Sequence, residues 1–238
     1  MEFLNESSCR NHTYRNAGNL PLLRMLNVEN GRFNVLDIGC GCGANAALLV
    51  KQGCAVDGIT INGAEYETAS LICSRVWIHD LDSGLPEDIA GPFDIILLSH
   101  VLEHLRAPEK LLLQIHGILD PGGRVAVGLP NIMNWHQRLL FLAGLFEYRD
   151  EGIMDKTHLR FFTFASGKRM LENCGYLVRQ AGAAGSILPW GRLRCVIPET
   201  VNRIDRVFCS LWPALFGRQV LYIAQLQRRE PDMDSLSR

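Results

Sequence analysis

The sequence is notable first for what it lacks. It has no run of basic residues: 24 Lys and Arg balance 25 Asp and Glu, giving a formal net charge of -1. The electrostatic footprint of a nucleic-acid binder is therefore missing. No apolar stretch approaches the roughly 20 residues of a membrane-spanning helix, the longest being Leu139 to Phe146. The amino terminus carries Glu2 and Glu6 where a secretory signal needs positive charge. Eight cysteines occur, but they are scattered through buried-looking segments and are not spaced as a disulfide framework, which suits reduced thiols in a cytoplasmic protein. No internal repeat or low-complexity segment divides the 238 residues, so one large α/β domain is expected.

What is present centres on one stretch. Val35-Leu36-Asp37-Ile38-Gly39-Cys40-Gly41-Cys42-Gly43 is an apolar run closing on an acid, followed by glycine at alternate positions. Ala44 to Gln52 then has helical character and is stopped by Gly53. This reads as strand, tight loop and helix, with the glycines free to take positive φ and leaving no Cβ in the way of a ligand. Neither G-K-S/T nor G-x-G-x-x-G fits, so a phosphate loop and a dinucleotide fingerprint are both set aside. The segment resembles motif I of the class I S-adenosylmethionine (SAM) dependent methyltransferases. Cys40 and Cys42 read either as small residues filling a crowded turn or as thiol ligands, and no metal site is expected.

That resemblance implies a Rossmann-like, mostly parallel sheet of seven strands in the order 3-2-1-4-5-7-6, with helices on both faces and an α-helical lid. It places SAM, and its product S-adenosylhomocysteine, over Asp37, Gly39, Cys40, Gly41 and Gly43. At the end of the second strand (Ala55 to Thr60) the family usually carries an acid for the ribose hydroxyls. Here Thr60 and Ile61 stand there, and Glu65 one turn later is the favoured ribose partner; a solvated helix-face acid is the other reading. Asp80 and Leu81, after a third strand at Val76 to His79, fit the adenine position, although Asp80 also fits a turn cap.

Phe93 to Ser99 is a fully buried strand running into His100-Val101-Leu102-Glu103-His104. H-x-x-E-H is also the inverted zinc-peptidase motif, but that requires a long helix, which Pro108 and the preceding strand exclude. In the methyltransferase reading His100 lines the methionine end of the cofactor and His104 faces the acceptor. The bland alternative is that both cap the sheet. A helix from Pro108 to Leu119, the turn Asp120-Pro121-Gly122-Gly123 and a strand Arg124 to Leu129 follow.

From Leu129 onward, Leu129-Pro130-Asn131 with Trp135-His136, then Phe146-Glu147-Tyr148, then Asp155-Lys156-Thr157-His158-Leu159-Arg160-Phe161-Phe162-Thr163, resembles a bacterial methyltransferase group often encoded with polysaccharide and O-antigen genes. The resemblance implies an insertion over the acceptor side. In it Trp135, His136 and Arg160 would bind substrate, and His104 or His158 would act as a base. The apolar residues Leu139, Leu140, Leu142, Leu145 and Phe146 are expected to pack on the core, the alternative being contact with a lipid-linked acceptor. Asp155, Thr157, His158 and Arg160 suggest a fixed hydrogen-bond network.

The expected organisation is a cap segment at 1–31, in which Tyr14 and Arg15 close over the cofactor or lie loose. A methyltransferase domain follows at 32–227, with insertions near 131–164 and 185–216, and then a polar tail at 228–238. The expected activity is methyl transfer to an O or N of a small molecule or a glycolipid. The partners are that acceptor, no nucleic acid and peripheral membrane contact at most, with the protein a monomer or homodimer. A nucleic-acid base methyltransferase is the competing class, but the loop D/N-P-P-Y/F is absent after the fourth strand, where Ser99-His100-Val101-Leu102 stands. A SAM-binding scaffold without chemistry is the other, prompted by Thr60.

Overall fold

The computed structural model describes residues 18–28, 31–187 and 195–227. Tyr14, Arg15 and the 228–238 tail lie outside these. Seven strands form one sheet in the order β3-β2-β1-β4-β5-β7-β6, as expected. They are β1 (Asn34–Ile38), β2 (Ala55–Thr60), β3 (Arg75–Ile78), β4 (Phe93–Ser99), β5 (Leu119–Pro130), β6 (Tyr176–Ala184) and β7 (Gln219–Leu226). The first five are parallel to one another, and β7 runs antiparallel between β5 and β6.

The central strands are apolar on both faces because both faces are covered. In β1, Val35 joins one buried cluster and Leu36 and Ile38 the other. Helices α1 (Leu20–Leu26), α2 (Ala44–Val50) and α3 (Gly63–Ala69) lie on the first face. Helices α4 (Pro108–Ile115) and α6 (Phe164–Asn173) cover the second, joined to it by Leu111, Leu112, Met170 and Leu171. Helix α5 (Trp135–Leu142) lies in the insertion after β5, and α7 (Pro198–Leu211) and α8 (Pro213–Phe216) precede β7.

Short polar caps set the helix starts. Asn19 accepts from the Leu22 N–H, Asn62 from Ala64, and Asn134 from His136 and Gln137. Thr163 and Ser166 form a reciprocal capping box on α6.

Three elements differ from the sequence reading. Helix α1 does not sit across the mouth of β1; its Leu22, Leu23 and Leu26 are buried against β5 and β7 on one face of the sheet. The Asp120-Pro121-Gly122-Gly123 segment is a bulge within β5, because Leu119 already pairs with Phe93 before Arg124 resumes the ladder opposite Ile95. The apolar residues of the insertion do not pack on the core: Leu139, Leu142, Leu145 and Phe146 are all exposed, Leu142 by 84%. Among the described residues no helix is long and apolar enough to cross a membrane.

Tyr176 is buried, and its hydroxyl donates to the Leu112 carbonyl at 2.6 Å, pinning α4 to the edge of the sheet. Tyr176→Phe is expected to cost about 1 kcal/mol. The measurement is urea unfolding, in which the midpoint falls by roughly half a molar with the slope unchanged.

Candidate active site

The strand order reverses between β1 and β4, and in open α/β sheets the ligand crevice lies outside the carboxyl ends at such a point. The glycine loop occupies one side of it. Gly39, Gly41 and Gly43 have φ of 75°, 53° and 81°, values that side-chain-bearing residues rarely adopt. At Gly39 a Cβ would also come within 2.4 Å of Val101 Cγ2, so the end of β1 and the segment after β4 are in contact only because this residue is glycine. The N–H groups of Gly39 and Cys40 both donate to the Ile59 carbonyl, at 2.8 and 2.9 Å, fastening the loop to β2.

Cys40 turns inward to Cys73 and Gly58, and both its hydrogen bond to Cys73 and its burial push its thiol pKa up. It is therefore an inert packing residue, and its contribution to the cradle is backbone.

Asp37 lies two residues before Gly39 with no exposed surface, and neither carboxylate oxygen has a hydrogen-bond partner. Burial pushes its pKa up to about 7. A buried carboxylate left in this way fits a cradle whose ligand brings positive charge, as the ammonium and sulfonium groups of SAM do.

At the end of β2, Thr60 and Glu65 form a pair. The Thr60 hydroxyl donates to Glu65 Oε2 at 2.7 Å, and both residues are buried. Glu65 thus reaches back from the first turn of α3 to the end of β2. Beyond β3, Asp80 is exposed and its Oδ1 accepts the Asp82 N–H, so it does cap a turn. Ile61 and Ile78 expose apolar surface at the ends of β2 and β3, and Leu81 is half-buried. The residues present thus fit SAM along its length: Asp37 and the glycines for the amino-acid end, Glu65 with Thr60 for the ribose, and Asp80 with Ile61 and Leu81 for the adenine.

The other side of the crevice is built from the end of β4 and the insertion. His100, at φ 59°, places Nδ1 3.1 Å from Glu103 Oε1 and Nε2 3.0 Å from Gln219 Oε1. Burial works against its charge, but these two acceptors outweigh it and leave its pKa above the ordinary value. Leu102–His104 form one turn of 3-10 helix, which ends any likeness to a helical zinc-peptidase motif.

His104 Nδ1 lies 3.1 Å from Thr157 Oγ1, whose hydroxyl donates to the buried Asp155 at 2.7 Å. The His104 and His158 rings meet edge to face, 4.8 Å apart. Burial lowers the His158 pKa, favouring the neutral imidazole.

Of the expected network of Asp155, Thr157, His158 and Arg160, the side chains of Asp155 and Thr157 are bonded to each other, whereas His158 Nδ1 faces the Ile153 carbonyl and Arg160 turns elsewhere. Arg160 donates to the Arg106 carbonyl at 2.6 Å and lines a cleft with Pro108, Phe162 and Met170. Trp135 and His136 line a different cavity, of about 550 Å³, with Leu140, Phe141, Met154 and Ile187. Arg160 is thus not brought together with them, because its side chain is claimed by the segment leading into α4.

Sequence reasoning missed Glu103 as a member of the site. Its place between His100 and His104 was visible, but its burial depends on the distant 153–160 segment, whose Leu159 and Arg160 N–H groups both donate to the Glu103 carbonyl.

Sheet order, glycine cradle and acidic strand ends define a class I methyltransferase fold. The family model described as "Methyltransferase domain" matches residues 10–181, and the chain belongs to that family; SAM is its methyl donor. The ubiquinone biosynthesis O-methyltransferase of Pseudomonas aeruginosa is 30% identical over 109 residues, 41% of this chain and 44% of that protein. The chain thus spans less than half the length of the curated relatives it first matches. Among solved structures, a SAM-dependent methyltransferase from Archaeoglobus fulgidus superposes with a TM-score of 0.61 at 21% identity, covering 86% of this chain and 90% of that one. The Burkholderia thailandensis 1,6-didemethyltoxoflavin-N1-methyltransferase, bound to its substrate and S-adenosylhomocysteine, gives 0.56 at 17% identity, covering 88% and 78%.

The Asp37 carboxyl titrates higher in the folded protein than in the unfolded chain, so its contribution to stability is fully present below its ordinary value of 3.8 and is lost as pH rises through about 7. Asp37→Asn removes this dependence. Relative to wild type, the ligand-free variant is expected to gain roughly 4 kcal/mol between pH 4 and pH 8, read by chemical unfolding at each pH.

Proposed function

We infer that this protein transfers the methyl group of SAM to an oxygen of a small organic acceptor. The observation that carries the reading is the pair of imidazoles, His104 and His158, set 4.8 Å apart beside the segment whose Val101 packs on Gly39. The bound cofactor supplies an electrophilic methyl group on a sulfonium. The chain's own residues hold the acceptor in line, exclude water and receive the hydroxyl proton. An amine acceptor needs no such base, so a pair of imidazoles at this place favours oxygen. The O-methyltransferase relatives support the same choice.

In this reading Glu65, braced by Thr60, holds the ribose, Asp80 takes the adenine amino group, and His100 lines the methionine end. His104 is the base in this reading, because Thr157, itself bonded to the buried Asp155, holds its Nδ1 and so orients the ring. Trp135 and His136 line the acceptor cavity.

The exposed Leu139, Leu142, Leu145, Phe146 and Tyr148 beside that cavity support an acceptor with a large apolar part. A lipid-linked sugar meets this description and agrees with the resemblance to the polysaccharide-associated group. Such an acceptor would be reached by peripheral contact with a membrane from the cytoplasm.

Cell extract incubated with the protein and isotopically labelled SAM is expected to yield a labelled small molecule or glycolipid, resolved by mass spectrometry. Label appearing only in nucleic acid would overturn the reading. Gly39→Val is expected to abolish SAM binding in calorimetric titration, because its side chain meets Val101 and its backbone cannot hold φ 75°.

A further inference from the structure

Glu103, His104 and His158 form a set whose donor atoms all lie within 4.8 Å of one another. His158 Nδ1 is 3.0 Å from the Ile153 carbonyl, a group that only accepts, so the proton sits on Nδ1 and the lone pair on Nε2. His104 Nδ1 faces the Thr157 carbonyl at 3.3 Å and a Thr157 hydroxyl whose own hydrogen goes to Asp155. The same argument places its proton on Nδ1 and its lone pair on Nε2. Imidazoles held through Nδ1–H by a carbonyl or a carboxylate-linked group are oriented as metal-ligating histidines are.

Glu103 supplies an independent observation. It has no exposed surface, and Oε2 has no hydrogen-bond partner, while Oε1 faces His100. One buried carboxylate oxygen is thus left bare. Such an oxygen is costly to keep unless a cation meets it.

We propose that Glu103 Oε2, His104 Nε2 and His158 Nε2 bind a divalent transition-metal ion, of the Zn²⁺, Mn²⁺ or Co²⁺ type, with its remaining positions open to the acceptor oxygen. Two nitrogens and one carboxylate suit these ions better than Mg²⁺ or Ca²⁺, which favour oxygen ligands. Metal–ligand bonds of about 2.1 Å set donors roughly 3.0–3.5 Å apart, so the three side chains draw in by about an ångström on binding. This set is not the peptidase motif in the sequence, since His100 is turned to Gln219 and the third ligand comes from the insertion. The acceptor's part rests on the methyltransferase reading and replaces the direct-base role of His104 there: with both Nε2 atoms on the ion, the ion would make a coordinated hydroxyl more acidic and the proton released would pass to solvent water. The ion site itself rests only on the three side chains.

The test is titration of the chelator-treated full chain with Co²⁺, followed by calorimetry and visible absorption. One equivalent is expected to bind with a ligand-field spectrum that includes nitrogen ligands. Glu103→Gln and His158→Gln are each expected to weaken binding by about tenfold or more. Circular dichroism checks that each variant is folded, and His158→Gln, in an insertion loop, guards against loss of fold at the buried Glu103. Absence of a cobalt spectrum in wild type, or variants that bind as tightly, overturns the proposal. SAM titration of the same metal-free protein separates the two readings. SAM binding without cobalt binding sinks the ion site alone, whereas cobalt binding without SAM binding leaves the ion site standing and sinks the proposed function.

Discussion

Glu103 is the point where the separate parts of the crevice are joined. Its carbonyl receives the Leu159 and Arg160 N–H groups, which brings the insertion down onto the end of β4. Its side chain engages His100, which reaches Gln219 at the start of β7, and Gln219 in turn accepts from Asn19 ahead of α1. One buried residue thereby links four segments distant in sequence, and the short 3-10 turn that carries it fixes where His104 points. A change of its charge would be felt by all of them at once, since in a low-dielectric interior such contacts reinforce one another.

The crevice also contrasts two buried carboxylates. Asp37, with no partner, has its pKa raised by burial, whereas Glu103, equally buried, is held down by imidazoles. The difference is one of neighbours, not of depth. It divides the crevice into a side that waits for a ligand's positive charge and a side that already carries an ionised, partly compensated acid.

Much of this was readable in the residues. The strand, glycine loop and helix at 35–52 follow from local pattern alone, as does β4, whose bounds at Phe93 and Ser99 are found as expected. The sheet order came from resemblance, because periodicity does not say which strands are neighbours. The insertion departs from its pattern for a physical reason: Leu139 and Leu142 have the spacing of a core-facing helix, yet among the described residues they stay exposed. Arg160 was placed with the substrate residues because it lies in the same motif, but a backbone carbonyl at Arg106 competes for it. The place of Glu103 is not legible locally, because the N–H groups that meet its carbonyl come from Leu159 and Arg160, about fifty positions away in the chain.

The double hydrogen bond from Gly39 and Cys40 to the Ile59 carbonyl has a thermodynamic corollary. A glycine-rich turn is ordinarily the loosest part of a chain, and a guest that has to freeze it loses affinity in proportion to the freedom removed. Here that disorder is removed when the sheet forms, so the cost falls on folding and not on ligand capture. The turn is a preorganised receptor: arrival of the cofactor needs little rearrangement of the backbone beneath it.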